Sequence, residues 1–265
     1  MEWWLAYLAL GAFVGFIAGL LGIGGGATIV PVLALLFAAQ GFDPAYIQHL
    51  ALGTSLASIA FTAISSLRAH HVHGAVDWAV VWRLTPGIVA GTLGGAWLAK
   101  LMSTRWLTLF FVVFIAYIAT QILLNIRTKP HRTFPGAAGM TFAGALIGGT
   151  SALVGIGGGA MSTSFMLWCN MKMHQAIGTS AAIGFPIAIA GGVGYFLTGL
   201  GVQGLPQGSF GFLYLPALAG IVVASVLTAP LGARATHKLP VSTLRKIFAF
   251  FLYTLALRMA WVVFR

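Results

Sequence analysis

Charge is what this 265-residue sequence has least of: Asp, Glu, Lys and Arg make up 6% of it, and only three of them are acids. A soluble domain carries about 25% charged residues, because its surface must satisfy water. The shortage excludes a cytosolic enzyme, a disordered chain and a nucleic-acid module. Cysteine occurs once, as Cys169, which excludes an intrachain disulfide and a thiolate metal cluster. Carboxylates are missing from every long apolar run: Glu2 stands at the N-terminus and Asp43 and Asp77 in predicted loops. No acid therefore lies deep in a helix to bind a cation or relay protons. Enzyme signatures are missing too, with no G-x-S-x-G, H-E-x-x-H or Walker A stretch. No enzyme activity, cofactor or metal is expected. Met1-Glu2-Trp3-Trp4 offers no basic run ahead of the first apolar segment, so that segment is expected to stay in the mature protein.

Apolar residues are what the chain has instead: 59% are hydrophobic and the mean hydropathy is +0.97. The 14 Lys and Arg give a net charge of +11, but they sit between apolar runs rather than in one patch. That distribution reads as orientation-setting loops of a multi-pass membrane protein, not as a polyanion-binding face. A bilayer core of about 30 Å needs roughly 20 apolar residues per crossing. Segments near 49–69, 78–99, 106–125, 175–199, 211–231 and 244–264 meet that. Two further regions, near 3–39 and 134–168, are too long for one crossing, and each is interrupted by a glycine cluster. Trp3, Trp4, Trp78, Trp82, Trp106 and Trp261 fall near segment ends and read as interfacial anchors.

The sequence repeats itself. Leu21-Gly22-Ile23-Gly24-Gly25-Gly26-Ala27 matches Val154-Gly155-Ile156-Gly157-Gly158-Gly159-Ala160. Downstream, His49 before Gly53-Thr54-Ser55 matches His174 before Gly178-Thr179-Ser180. The halves are therefore 1–128 and 133–265, within one integral membrane domain. If each glycine-broken region crossed the membrane once, Lys and Arg would divide seven against seven. If each turned at its glycines and came back, one side would hold Arg68, Arg83, Arg127, Lys129, Arg132, Lys172, Arg234, Lys238, Arg245 and Lys246. The other side would hold Lys100, Arg105, Arg258 and Arg265. Ten against four is the positive-inside pattern. Each half then crosses three times, an odd number, so the halves are expected to be inverted with both termini periplasmic. The fold expected is an all-α polytopic membrane protein of two inverted repeats, each a glycine-broken re-entrant hairpin plus three transmembrane helices. Such repeats with broken helices are a recurring transporter plan, with the substrate near the midplane.

The glycine clusters point to anion chemistry. Glycine costs a helix about 1 kcal/mol against alanine, and backbone freed inside lipid must be satisfied by protein or by a water-filled cavity. A helix restarting after the break aims exposed N–H groups and a partial positive charge back at it. The substrate-binding candidates are Gly24, Gly25, Gly26 and Thr28 at the first break, and Gly157, Gly158, Gly159 and Ser162 at the second. Hydroxyls of Thr54, Ser55, Thr179 and Ser180 can donate to an oxyanion without fixing a charge, and Thr150 and Ser151 precede the second break. Glycine, serine and threonine equally serve close helix contacts in lipid. His49 and His174 occupy matched positions and are the groups suited to proton coupling, or they are helix-end groups near the membrane surface.

These residues resemble the TauE/SafE family of sulfite and organosulfonate exporters, of the toluene-sulfonate-uptake type of membrane transporter. The resemblance rests on the doubled Gly-x-Gly-Gly-Gly element, on Pro31, and on both His…Gly-Thr-Ser motifs, and covers nearly the whole chain. The second hairpin departs in having Ser164 or Phe165 near where Pro31 aligns. The resemblance implies a secondary transporter exporting small sulfur-containing anions, sulfite or organosulfonates such as sulfoacetate, across the bacterial inner membrane. Uptake of an anion such as thiosulfate, or a non-transporting scaffold for a sulfur or respiratory enzyme, are the alternatives. The partners allowed are the small anion, the lipid bilayer and a second copy in a homodimer; nucleic acid is not among them.

Overall fold

Both long apolar regions break where the glycines are. In a computed structural model that describes residues 2–21, 25–124, 131–235 and 241–264, helix α1 (Glu2–Leu21) stops and α2 (Gly26–Ala39) begins across the first cluster. Helix α6 (Ala137–Val154) likewise stops at Gly155, and α7 (Gly159–Trp168) restarts after Gly158. Gly155 and Gly158 have φ of +69° and +70°, left-handed backbone that side chains rarely adopt. Between the breaks run α3 (Ile47–Val72), α4 (Trp78–Leu101) and α5 (Thr104–Leu123). After the second come α8 (Met173–Gly199), a two-stranded turn, α9 (Leu215–Ala235) and α10 (Val241–Phe264). The turn pairs β1 (Ser209–Phe210) with β2 (Leu213–Tyr214), Ser209 opposite Tyr214. The predicted segment 211–231 therefore begins four residues late as a helix. Gly208 and Gly211, both at positive φ, bend 209–214 into a hairpin and drive Phe212 into the core, 2% exposed.

Each broken region folds back on itself. Tyr7 lies four turns before the end of α1 and Gln40 directly follows α2, yet the Tyr7 hydroxyl donates to Gln40 Oε1 at 3.0 Å across 33 residues. At the second break the chain entering α6 meets the end of α7: the N–H groups of His131 and Arg132 both donate to Trp168 O. A single kinked rod would hold these ends far apart.

Small residues let the helices approach, as expected where lipid supplies no hydrophobic drive between them. Gly87, Gly91 and Gly95 of α4 lie against Thr141, Ala145 and Gly149 of α6, so these two helices run parallel. Gly11 and Gly15 of α1 lie against Ile221 and Ser225 of α9, again in parallel. Helices α3 and α8 run antiparallel: Gly53 meets Tyr195, Leu56 meets Gly191, and Ile59, Ala60 and Ala63 cluster with Ala188. Helix α5 packs on α10.

Among the described residues five helices are long and apolar enough to cross a bilayer: α3, α5, α6, α8 and α9 through Gly232. Segments 78–99 and 244–264 form helices of 24 residues each. Helix α4 packs against α6 and α8. The protein is an all-α, multi-pass membrane protein. All six anchor tryptophans are exposed.

Candidate functional site

The two breaks touch. A Cβ on Gly26, the first residue of α2, would lie 2.3 Å from the carbonyl oxygen of Gly155 and 2.9 Å from Cα of Ile156. Only glycine allows this approach. Gly25 caps α2, its carbonyl accepting from the N–H groups of Thr28 and Ile29. Gly158 caps α7, its carbonyl accepting from Ser162 N–H. In both short helices the N–H groups of the first turn precede the first intrahelical bond. Neither helix has a side-chain cap or an acid in its first turn, so side chains leave the partial positive charge of each N-terminus uncompensated. Helix α4 shows the contrast, with Asp77 Oδ1 accepting from Ala79 and Val80 N–H.

The Gly-Thr-Ser motifs dock one half onto the other. Thr54 Oγ1 accepts from Tyr214 N–H at 3.0 Å, and Thr179 Oγ1 accepts from Asp77 N–H at 2.9 Å. Tyr214 and Asp77 are each the residue before a helix, α9 and α4. The preceding glycines repeat the relation: a Cβ on Gly53 would fall 2.4 Å from Phe212 O, and one on Gly178 2.5 Å from Ala75 O. Glycine admits the opposite loop and threonine receives its N–H. Both threonines are fully buried, and their oxygens are committed as acceptors.

The serines of the same motifs reach the second break. Ser55 donates to Gly155 O at 2.8 Å across 100 residues. Ser180 donates to Gly159 O at 2.9 Å, and its Oγ lies 2.8 Å from Ser162 Oγ. Ser162 also donates to Gly158 O at 2.8 Å. The structure thus gathers Gly26, Ser55, Gly157, Gly158, Gly159, Ser162 and Ser180 around one bend, with Gly157 against Gly184 and Ile59. Thr28 is buried in the first turn of α2. Gly24 lies outside the described residues.

The two histidines diverge. His49 is buried at 4% exposure, its Nε2 2.9 Å from Ala99 O and its ring 5.0 Å from Phe212. His174 is exposed at the start of α8. Sequence spacing missed one buried group: Gln48, 1% exposed, has no partner for either amide atom, and nothing marks it beyond its place beside His49. Ser151, a further candidate from its place before the second glycine cluster, is 1% exposed with no partner for its Oγ.

The amino-acid sequence matches known proteins over most of its length. The family model described as Sulfite exporter TauE/SafE matches residues 7–259. The chain belongs to the TauE/SafE family. A "Probable membrane transporter protein" of Haemophilus influenzae is 38% identical over 96% of this chain and 97% of its own length. "Probable membrane transporter protein YunE" of Bacillus subtilis is 29% identical over 72% of this chain and 78% of its own. A Methanocaldococcus jannaschii protein of the same description is 24% identical over 90% and 88%. No solved structure matches. As a TauE/SafE protein the chain is a membrane transporter, and the relatives named above carry the description of probable membrane transporters.

Proposed function

We propose that this TauE/SafE protein is a secondary carrier that exports small sulfur-containing anions, sulfite or an organosulfonate such as sulfoacetate, across the bacterial inner membrane. Its halves, 1–128 and 133–265, are two inverted repeats whose re-entrant hairpins meet in the membrane. The antiparallel packing of α3 on α8, which carry the matched Gly-Thr-Ser motifs, supports that arrangement. So does the reciprocal docking of Thr54 on Tyr214 and Thr179 on Asp77.

The observation that carries the reading is the contact of Gly26 with Gly155. It brings an uncapped helix N-terminus from one hairpin against the bend of the other. Amides of Gly26, Ala27, Gly159 and Ala160 are the donors for the anion, with Ser162 and Ser180 beside them. Ser55 holds the second bend, and Thr54 and Thr179 hold the opposite halves in register through Tyr214 and Asp77. Among the described residues the buried polar groups are hydroxyls, Gln48 and His49, with no carboxylate to repel an anion. An inside-negative potential favours anion exit by about 2.3 kcal/mol per charge per 100 mV. Efflux therefore needs no coupling ion, and His49 or His174 would add proton coupling where a gradient is used.

The test is flux from proteoliposomes loaded with sulfite, sulfoacetate, Na⁺ or a divalent metal. Anion efflux that rises with an inside-negative potential supports the proposal. Cation flux with no anion flux refutes it.

A further inference from the structure

The two hairpins are not equally closed. Helix α2 packs on α10, whereas α7 stands away from α5 and leaves a cleft of about 920 Å³ between α5, α6 and α7. Its outer end carries Arg132, whose guanidinium is held over the Trp168 ring at 5.4 Å. By the charge pattern above, Arg132 and Lys172 belong to the ten-residue basic side. The cleft narrows inward to a chamber of about 10 Å³ bounded by Ser151, Ile156 and Gly158, room for about one water. Phe114, Ile118, Ala160 and Met161 line both spaces and form the neck between them.

The inner chamber presents an apolar lining, with one buried, unpartnered hydroxyl set just behind it. Ser151 is 1% exposed and its Oγ has no partner, lying 3.2 Å from where a Cβ on Gly158 would be. Beside it is the uncapped start of α7. The hairpin fold does not require this serine, because the first repeat has Ile17-Ala18 where the second has Thr150-Ser151. Thr150 Oγ1 donates to Leu146 O at 2.6 Å and lies 3.0 Å from Met161 Sδ, so Met161 of α7 rests against α6 and closes the neck by contact. An unbranched thioether swings aside more readily than a branched or aromatic side chain.

We propose that this cleft is the vestibule by which a small oxyanion passes between the basic face of the membrane and the second glycine break. Arg132 attracts the anion at the mouth, Met161 gates the neck, and Ser151 is its first ligand inside. The inference rests on the anion-transport reading and adds the path and the gate.

Cysteine modification tests it in everted and right-side-out vesicles of the double variant Cys169→Ala, Ser164→Cys, since Ser164 lines the cleft wall. A membrane-impermeant sulfonated methanethiosulfonate should modify the new cysteine from the cytoplasmic face only and cut sulfite flux to background. Adding Arg132→Gln should slow that reaction several-fold and leave a neutral reagent's rate unchanged. Separately, Ser151→Ala should lower flux about tenfold or more at unchanged expression. Ala143→Cys, on the facing wall, serves should Ser164→Cys fail to fold. Reaction with a lipid-soluble maleimide but not with the charged reagent would show a lipid-filled groove and overturn the vestibule. Modification that leaves flux intact would also overturn it. Flux of the unmodified variant separates the two readings: if it and the wild type carry no anion, the transport reading itself falls.

Discussion

Gly26 and Gly155 are pressed together so closely that a methyl group on the first would overlap the carbonyl oxygen of the second, at 2.3 Å. One residue begins α2 in the first half and the other ends α6 in the second, so the contact joins the two bends directly. Ser55 fixes the same carbonyl from α3. The register of this junction decides whether two helix N-termini can act on one solute.

Gly26→Ala should therefore force the bends apart. Overpacking of this kind costs about 1–3 kcal/mol, read as a lower Tm in detergent, and sulfite flux should fall with it. Gly94, inside α4 with nothing within 4 Å of an added Cβ, is the matched control: Gly94→Ala should leave flux unchanged and raise Tm, since alanine gains about 1 kcal/mol over glycine in a helix.

Thr54→Val and Thr179→Val should destabilise by similar amounts. Each removes the acceptor of one backbone N–H, that of Tyr214 or Asp77, at about 1–2 kcal/mol. Thr→Ser at either site keeps the hydroxyl and should recover most of the loss in thermal unfolding. Unequal effects beyond that range would mean the two docks are not equivalent.

The carboxylate of Asp77 caps α4 through two N–H groups. Asp77→Ala should cost about 1 kcal/mol and Asp77→Asn much less. Ion selectivity measured by flux should be the same in both variants, since this acid serves a helix end and not a solute.

The paired histidines should separate in mutagenesis. His49→Leu removes a buried bond to Ala99 O and should lower stability by about 1–3 kcal/mol. His174→Leu, at an exposed site, should stay within about 0.5 kcal/mol. Thermal unfolding of the two variants under one condition checks the contrast.

Much of the frame was legible in the chain. Glycine pairs are carried inside α4, α6 and α8, but a run of three beside a fourth costs a helix about 1 kcal/mol per residue, so the breaks at Leu21 and Val154 are expected from composition. The return of each hairpin is the expectation drawn from the placement of ten basic residues; the structure brings Tyr7 to Gln40 across the first of them. What the sequence withheld is which groups meet. That the oxygen of Thr54 receives the N–H of Tyr214, 160 residues away, is seen only in the structure. His49 and His174 share a motif, but His49 has Phe212 packed over it, because among the described residues the β1–β2 turn occurs in the second half alone. Spacing within one segment records local structure; these differences arise between segments.

Hydrogen–deuterium exchange with and without saturating sulfite tests the central claim most directly, because backbone amides are the proposed ligands. Added anion should slow exchange in peptides covering residues 25–28 and 158–162 and leave the loop at 73–77 unchanged. Equal exchange at both bends with and without anion, while flux persists, would contradict the account.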